Sequence, residues 1–366
     1  MVKNPLSFVL SNLLLYGAAH ALVDAICASV LTSLALFGGV GPGRAFLFYL
    51  FYNFLAFAMQ APMGILLDRA RCPRAAARAG IVMQAAALAV PRSLPEAAIL
   101  LAGLGNALFH LGGGVVALNL TPGRATAPGI FVAPGAVGLF LGVRLGSMSP
   151  LTPAVRLTLA SAALLLGTLA AFLSLPANYP RSREPQKDEY LPLSPAFFRV
   201  VGLIFFSIAV RSFIGLSLTF PWKNDGFLPA FFLAAAAGGG KALGGFLSDR
   251  LGFARVSVGA LLLSIPLFQL GGSSMIFGLA GCLCFQMTMA VTLLAYVMAY
   301  PNREAWAFGL ACLALFAGSL PLLLPLPLPV VLNAPAARAA MTLASVVCLW
   351  RGFAVLFAET PGRAAR

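Results

Sequence analysis

Charge is what this chain has least of. Aspartate and glutamate together number 10 in 366 residues, and all charged types make up 9% of the sequence. Soluble domains carry about 25% charged residues, so a water-exposed globule is excluded. Histidine occurs twice, as His20 and His110. The cysteines Cys27, Cys72, Cys282, Cys284, Cys312 and Cys348 fall mostly in apolar stretches. Their one close pair, Cys282-x-Cys284, lacks partners at zinc-site spacing, so all are expected to be reduced packing residues. The phosphate-cradling pattern G-x-x-x-x-G-K-[ST] is absent, since Gly239-Gly240-Lys241 runs on into Ala242. No nucleophile, base and orienting group stand together in sequence. The expectation is no enzyme, no cofactor, no metal centre and no ATP-driven pump in this chain alone.

Apolar sequence takes the place of charge. Hydrophobic residues reach 60%, and stretches of about twenty, enough to span a ~30 Å hydrocarbon core, recur along the chain. Twelve spans are expected, at roughly 6–36, 44–67, 75–91, 96–119, 126–147, 154–175, 197–220, 227–248, 255–271, 275–299, 305–326 and 336–358. The prolines Pro321, Pro325 and Pro327 should end the eleventh near the membrane surface. The first run is too long for a cleavable signal and is expected to be a true first helix. The longest polar stretch, 176–195, carries Arg181, Arg183, Glu184, Lys187, Asp188 and Glu189. It divides the chain into a helical bundle at 1–175, a linker at 176–196 and a second bundle at 197–366.

An even number of spans puts both termini on one side. With that side cytoplasmic, fifteen Lys and Arg lie inside and five outside, the asymmetry that orients membrane proteins. The formal charge of +14 is then mainly a topology signal, and nucleic acid is not an expected partner.

Two short motifs occur twice. Gly64-Ile65-Leu66-Leu67-Asp68-Arg69 and Gly245-Phe246-Leu247-Ser248-Asp249-Arg250 share G-x-x-x-D-R, half the chain apart. Pro122-Gly123-Arg124 and Pro301-Asn302-Arg303 repeat at nearly the same offset. Two markers with one offset imply an internal duplication. Twelve helices, a central linker and G-x-x-x-D-R after helices two and eight resemble the major facilitator superfamily along the whole chain. Gly252 completes that family's loop in the second copy, whereas Arg71 stands in its place in the first. Helix four, with Gly103-Leu104-Gly105-Asn106-Ala107-Leu108-Phe109-His110, is similar to the fosmidomycin-resistance branch of bacterial efflux carriers. So is helix one, with His20 and Asp24, although Leu111 follows where that branch has proline. Gly129, Ala133, Pro134, Val137 and Gly138 resemble the G-x-x-x-G-P-x-x-G-G element of proton antiporters.

The resemblance implies an all-α membrane protein of two pseudo-symmetric six-helix halves. It implies a monomer in a plasma membrane, the bacterial inner membrane, with both termini cytoplasmic. It also implies proton-coupled export of small anionic or amphiphilic molecules, with uptake by symport and a non-transporting receptor as the alternatives. Asp68, Arg69, Asp249 and Arg250 would hold the inner gate.

Ionisable groups inside a bilayer cost about 2.5–3.5 kcal/mol each on insertion scales, so the few present are informative. His20 and Asp24 share a face of helix one and are the expected proton-coupling pair; a static polar pair is the other reading. Asn106 and His110 repeat the spacing on helix four, toward substrate or a proton relay. Arg211, Lys241 and Arg144 would make a shared cavity positive and suited to an anion, so a small anionic substrate is the expected partner. Gln286 on helix ten joins this set. For Asn53, Gln60 and Gln84, hydrogen bonding between helices is the favoured role.

Overall fold

The structure, a computed structural model, describes residues 5–172, 193–324, 332 and 334–360. The expected linker at 176–195 lies outside the described residues. Among the described residues the long elements are all helices: α1 (Pro5–Phe37), α2 (Pro42–Ala70), α3 (Pro73–Ala89), α4 (Pro95–Leu120), α5 (Thr126–Met148) and α6 (Pro153–Phe172). After the linker follow α7 (Pro195–Ser217), α8 (Phe227–Leu251), α9 (Phe253–Leu270), α10 (Met275–Ala299), α11 (Glu304–Leu323) and α12 (Pro335–Glu359). Pro42, Pro73, Pro95, Pro153, Pro195 and Pro335 open their helices, where the missing N–H costs nothing and φ is already set.

Eleven of these helices are long and apolar enough to cross a membrane. The exception is α3, 17 residues long, whose first turns carry Arg74 and Arg78. Two helices are irregular in ways the apolar pattern does not reveal. α2 passes through a π-helical segment at Phe54–Ala58, and α10 is interrupted at Met287 and Thr288. Such departures from the i to i−4 ladder cluster at functional positions. α11 ends at Leu323, a few residues before the expected boundary, with Pro321 in its last turn.

Side-chain burial is arranged for lipid. Leu14, Leu157, Leu165, Phe172, Phe198, Ile276 and Trp350 are all more than half exposed, which water would penalise and a bilayer would not. One buried cluster draws mainly on α1–α6, around Phe109, Phe131 and Ile81. A second draws mainly on α7–α12, around Tyr296, Ile204 and Phe353.

Small residues, among them Gly138, Gly142, Gly244 and Gly245, bring the helices close. A Cβ on Gly138 would stand 2.0 Å from the Ala21 carbonyl oxygen of α1, and one on Gly142 2.3 Å from that of Ala25. On α8, a Cβ on Gly244 would meet the Met287 carbonyl at 2.0 Å, and one on Gly245 the Ala125 carbonyl at 2.3 Å.

The duplicated motifs meet crosswise. Asp68, at the end of α2, accepts hydrogen bonds from the backbone N–H groups of Ala305 (3.0 Å) and Trp306 (2.9 Å), at the start of α11. Asp249, at the end of α8, accepts from Ala125 (2.7 Å) and Thr126 (2.9 Å), at the start of α5, and from the Thr126 hydroxyl (2.5 Å). Each aspartate fills the cap of a helix whose own N-cap residue, Arg303 or Ala125, offers no side-chain acceptor. Four leading N–H groups of a helix lack internal partners, and a carboxylate also complements the helix dipole. The preceding turns match as well: Gly123 has φ 77° and Asn302 φ 64°.

Among the described residues neither aspartate forms an ion pair with arginine. Arg69 is exposed, and Arg250 lies over the Phe246 ring, 4.0 Å from its centroid. The two loops do differ where Arg71 replaces glycine. Arg71 is left-handed at φ 54°, ψ 35°, while Gly252 takes φ 97°, ψ 142°. A left-handed non-glycine residue costs roughly 1–2 kcal/mol. Arg71→Gly is therefore expected to raise thermal stability in detergent or leave it unchanged. A fall in Tm would show that the arginine side chain, rather than the turn, matters there.

Candidate functional site

His20 and Asp24 lie one turn apart on α1, as do Asn106 and His110 on α4. The helices turn these faces toward each other. His20 Nε2 is 3.3 Å from Asp24 Oδ2, and His110 Nε2 is 3.5 Å from Asp24 Oδ1. The two imidazole Nε2 atoms are 2.8 Å apart. Asn106 Nδ2 donates to Asp24 Oδ1 at 3.2 Å. His20 and Asp24, expected as a pair, and His110, expected as a substrate residue, are thus one cluster.

Backbone carbonyls fix the ring protons. His20 Nδ1 lies 2.9 Å from the Phe131 carbonyl oxygen, and His110 Nδ1 lies 2.9 Å from that of Asn106. A carbonyl only accepts, so both Nδ1 atoms carry hydrogen. In two neutral rings both Nε2 lone pairs would then face each other without a proton. A distance of 2.8 Å requires a positive centre between them. One shared proton would supply it, making the imidazole pair +1 against the Asp24 carboxylate and the cluster as a whole neutral.

The surroundings make the cluster dry and tight. His20, Asn106 and His110 are buried, while the Asp24 side chain is 18% exposed. Phe131 lies 4.7 Å from the His20 ring, and Phe308 of α11 lies 6.4 Å from the His110 ring, centroid to centroid. Behind Asn106, the Cys27 thiol donates to Gln84 Oε1 at 3.2 Å, and Gln84 Nε2 donates to the Ala102 carbonyl at 2.9 Å. Gln84 therefore bridges helices, as expected. Gln60 and Asn53 instead donate within their own helix, to Ala56 and Tyr49. Gly135 of α5 leaves the space that the pair occupies. A Cβ there would stand 2.5 Å from His20 Nε2 and 2.6 Å from Asp24 Oδ2.

The expected cations separate. Lys241 of α8, half-buried, is within electrostatic reach of Asp24 and His110. Arg211 of α7 is buried and paired inside the other half, donating to the Thr288 and Thr292 hydroxyls of α10, the second at 3.2 Å. Its Nε has no partner, nor does the nearby Tyr296 hydroxyl, and no acid pairs with it among the described residues. Arg144 is exposed near the far end of α5 and joins neither group. Gln286 is half-buried against Gly240 of α8. Thr288 and Thr292 were not singled out from sequence. Their one-turn spacing on helix ten was the available signal, and the helix break that presents Thr288 left none.

A cleft of about 960 Å³ opens beside the Asp249 clasp, lined by Leu10, Asn119, Arg124, Arg250, Met298 and Glu304 among others. Its lining includes neither the histidine cluster nor Arg211.

The arrangement of helices is that of the major facilitator fold. The structure is similar to that of a single-site variant of the E. coli fucose:proton symporter FucP, with a TM-score of 0.64 at 14% identity, covering 98% of this chain and 99% of that one. It is likewise similar to FucP described as a major facilitator superfamily transporter in the outward conformation, with a TM-score of 0.63 at 14% identity and 99% of each chain covered. No family model matches the sequence, and no curated protein matches it.

The space at Gly135 gives a sharp test. Gly135→Ala should displace His20 or Asp24 at an overpacking cost of about 1–3 kcal/mol. Histidine NMR of the purified protein should show the ring signals of the cluster shifted while helicity is retained. Unchanged ring signals in a folded Gly135→Ala would mean the three side chains do not meet as described.

Proposed function

We propose that this chain is a proton-coupled secondary transporter that works by alternating access, and that the His20–His110–Asp24 cluster is its proton site. The observation that carries the reading is the 2.8 Å approach of two Nε2 atoms whose Nδ1 hydrogens are already committed. Such a pair can hold one proton between its two ring nitrogens and release it again. Burial and the carboxylate hold that proton inside the bundle. The similarity in fold to a proton symporter is consistent with this reading.

The substrate side of the proposal is a small anionic or amphiphilic molecule. Arg211 supports it: a buried guanidinium with an unpartnered Nε and no acid beside it leaves a positive centre for a ligand to satisfy. Gln286 and Lys241 would add contacts from α10 and α8; Arg144, exposed near the far end of α5, would be the outermost of the substrate-binding residues. Export in exchange for protons is the favoured direction, from the resemblance to the fosmidomycin-resistance branch. Uptake by symport would give the opposite sign of pH dependence.

In this reading all twelve helices cross a bacterial inner membrane. Two halves, 1–175 and 197–366, rock about the midplane as a monomer, and both termini and the 176–196 linker face the cytoplasm. The two largely separate buried clusters support that division.

The crossed aspartates would stabilise the state closed at the loop side. Hydrogen bonds to a charged group contribute about 1.5–3 kcal/mol each. Asp249→Asn should therefore shift the conformational balance by roughly tenfold or more and slow turnover more than it weakens binding. Wild-type turnover at normal expression would remove the gating role.

Coupling is tested in proteoliposomes. Asp24→Asn should abolish accumulation driven by a pH gradient while substrate-for-substrate exchange partly survives. Arg211→Gln should weaken anion binding. Full pH-driven accumulation by Asp24→Asn, or unchanged anion affinity in folded Arg211→Gln, would overturn the corresponding half of the proposal.

A further inference from the structure

The donor set at the cluster is more than a single proton needs. A proton between two imidazoles lies on one line, from Nε2 to Nε2. The carboxylate lies off that line and faces both nitrogens, one oxygen toward each, at 3.3 and 3.5 Å. The three side chains form a closed triangle, with donor atoms within 4.8 Å of one another. Two nitrogens and a carboxylate sharing one ion through bonds of about 2.0–2.1 Å stand roughly 3 Å apart.

The supporting contacts have the form found around metal ions. A metal-binding histidine donates its other ring N–H to a carbonyl or carboxylate, which fixes its orientation. Both histidines do so, to Phe131 and Asn106. The carboxylate is itself held by Asn106 Nδ2. A second, independent observation is the Asn106 side-chain oxygen. It is buried and has no hydrogen-bond partner, although it belongs to the residue that orients Asp24. A cation, or a water bound to one, would satisfy it. Two imidazoles, one carboxylate and a neutral oxygen form a donor set suited to zinc, cobalt, nickel or iron(II).

We propose that a divalent transition-metal ion binds His20 Nε2, His110 Nε2 and the Asp24 carboxylate, in place of the shared proton. This rests on the reading of the same cluster as the proton site, and replaces the absence of a metal expected from sequence. The exchange is balanced. The ion takes both Nε2 lone pairs, one proton leaves to solvent, both Nδ1 hydrogens stay on their carbonyls, and the local charge rises by one. Binding therefore weakens as pH falls. Other titratable or charged groups facing the cluster are Lys241 of α8, Cys27 of α1, Tyr52 of α2 and Cys312 of α11. Lys241 opposes the added charge.

The experiment uses full-length protein without a polyhistidine tag, purified in detergent, with Co²⁺ as the optical probe and Zn²⁺ as competitor. The expected result is one ion per chain, a cobalt spectrum of nitrogen and oxygen ligation that zinc abolishes, and one proton released per ion. His110→Gln and Asp24→Asn should each weaken binding by at least about tenfold, the scale on which loss of supporting groups acts. Cys72→Ser, at an exposed loop thiol, should bind as wild type. Zinc X-ray absorption on the wild type needs no variant and should show imidazole ligation. No stoichiometric binding to folded wild type, binding unchanged in both cluster variants, or a thiolate-dominated zinc shell would each overturn the proposal. Transport driven by a pH gradient is read separately: if it depends on Asp24 while no metal binds, the proton site stands and the metal site falls. If metal binds at the cluster while pH-driven transport ignores Asp24, the reverse holds.

Discussion

Two helices of this protein cannot finish their own hydrogen bonding. α5 and α11 begin after tight turns at Gly123 and Asn302, with N-cap residues that offer no side-chain acceptor. Their leading N–H groups are satisfied by Asp249 and Asp68, each delivered by the end of a helix on the far side of the central linker in sequence. An unmet N–H near a membrane is expensive, so neither half of the chain is complete by itself at this end. The duplication explains the crossing: one repeat supplies an acceptor and an uncapped helix, and so does the other. Because the caps are a few surface-near bonds and not a packed core, they can be made and broken as a unit.

Much of this architecture was legible in the sequence because the repeats carry distinctive residues. G-x-x-x-D-R and the P-x-R turns mark corresponding points, and apolar runs mark the helices to within a few residues. What the apolar pattern could not show was where the helical ladder is disturbed. Phe54–Ala58 and the break at Met287 and Thr288 read as uninterrupted hydrophobic sequence, because π turns and breaks in a dry bundle are set by tertiary neighbours. α3, at 17 residues, is shorter than the other long helices, and the expected run at 75–91 was already among the shorter ones.

At the site, one-turn spacing exposed both pairs, His20 with Asp24 and Asn106 with His110. It could not show that the pairs face each other, since that depends on how α1 and α4 are rotated. Nor could it assign Phe131, which acts through its backbone carbonyl, or Gly135, which acts by having no side chain. The three cations were grouped from depth along their helices. Depth does not give direction around the helix, and Arg211, Lys241 and Arg144 prove to face different surroundings.

α5 connects the two functional regions. Its first residues are held by Asp249 of α8, its Phe131 carbonyl holds the His20 ring, and its Gly135 makes room for the His20–Asp24 pair. Beyond that, Gly138 and Gly142 lie against the α1 backbone at distances that admit no Cβ. α5 also packs against α8 along its length: beyond the hydrogen bonds at its start, Gly129 and Gly245 lie at a close approach, Gly238 stands against the Ala133 carbonyl, and Phe140 meets Phe227 and Phe231. If the halves rock as proposed, α5 and the cluster stay with α1 while α8 moves. Lys241 rides on α8, so its charge would change distance from Asp24 with each swing. In a low-dielectric interior the interaction of two charges falls off slowly with distance and is weakly screened. Opening the clasp would then alter the field at the cluster without disturbing its hydrogen bonds. The same cation that opposes loading in one state would release its hold in the other, which is the link a coupled transporter needs between gate and ion.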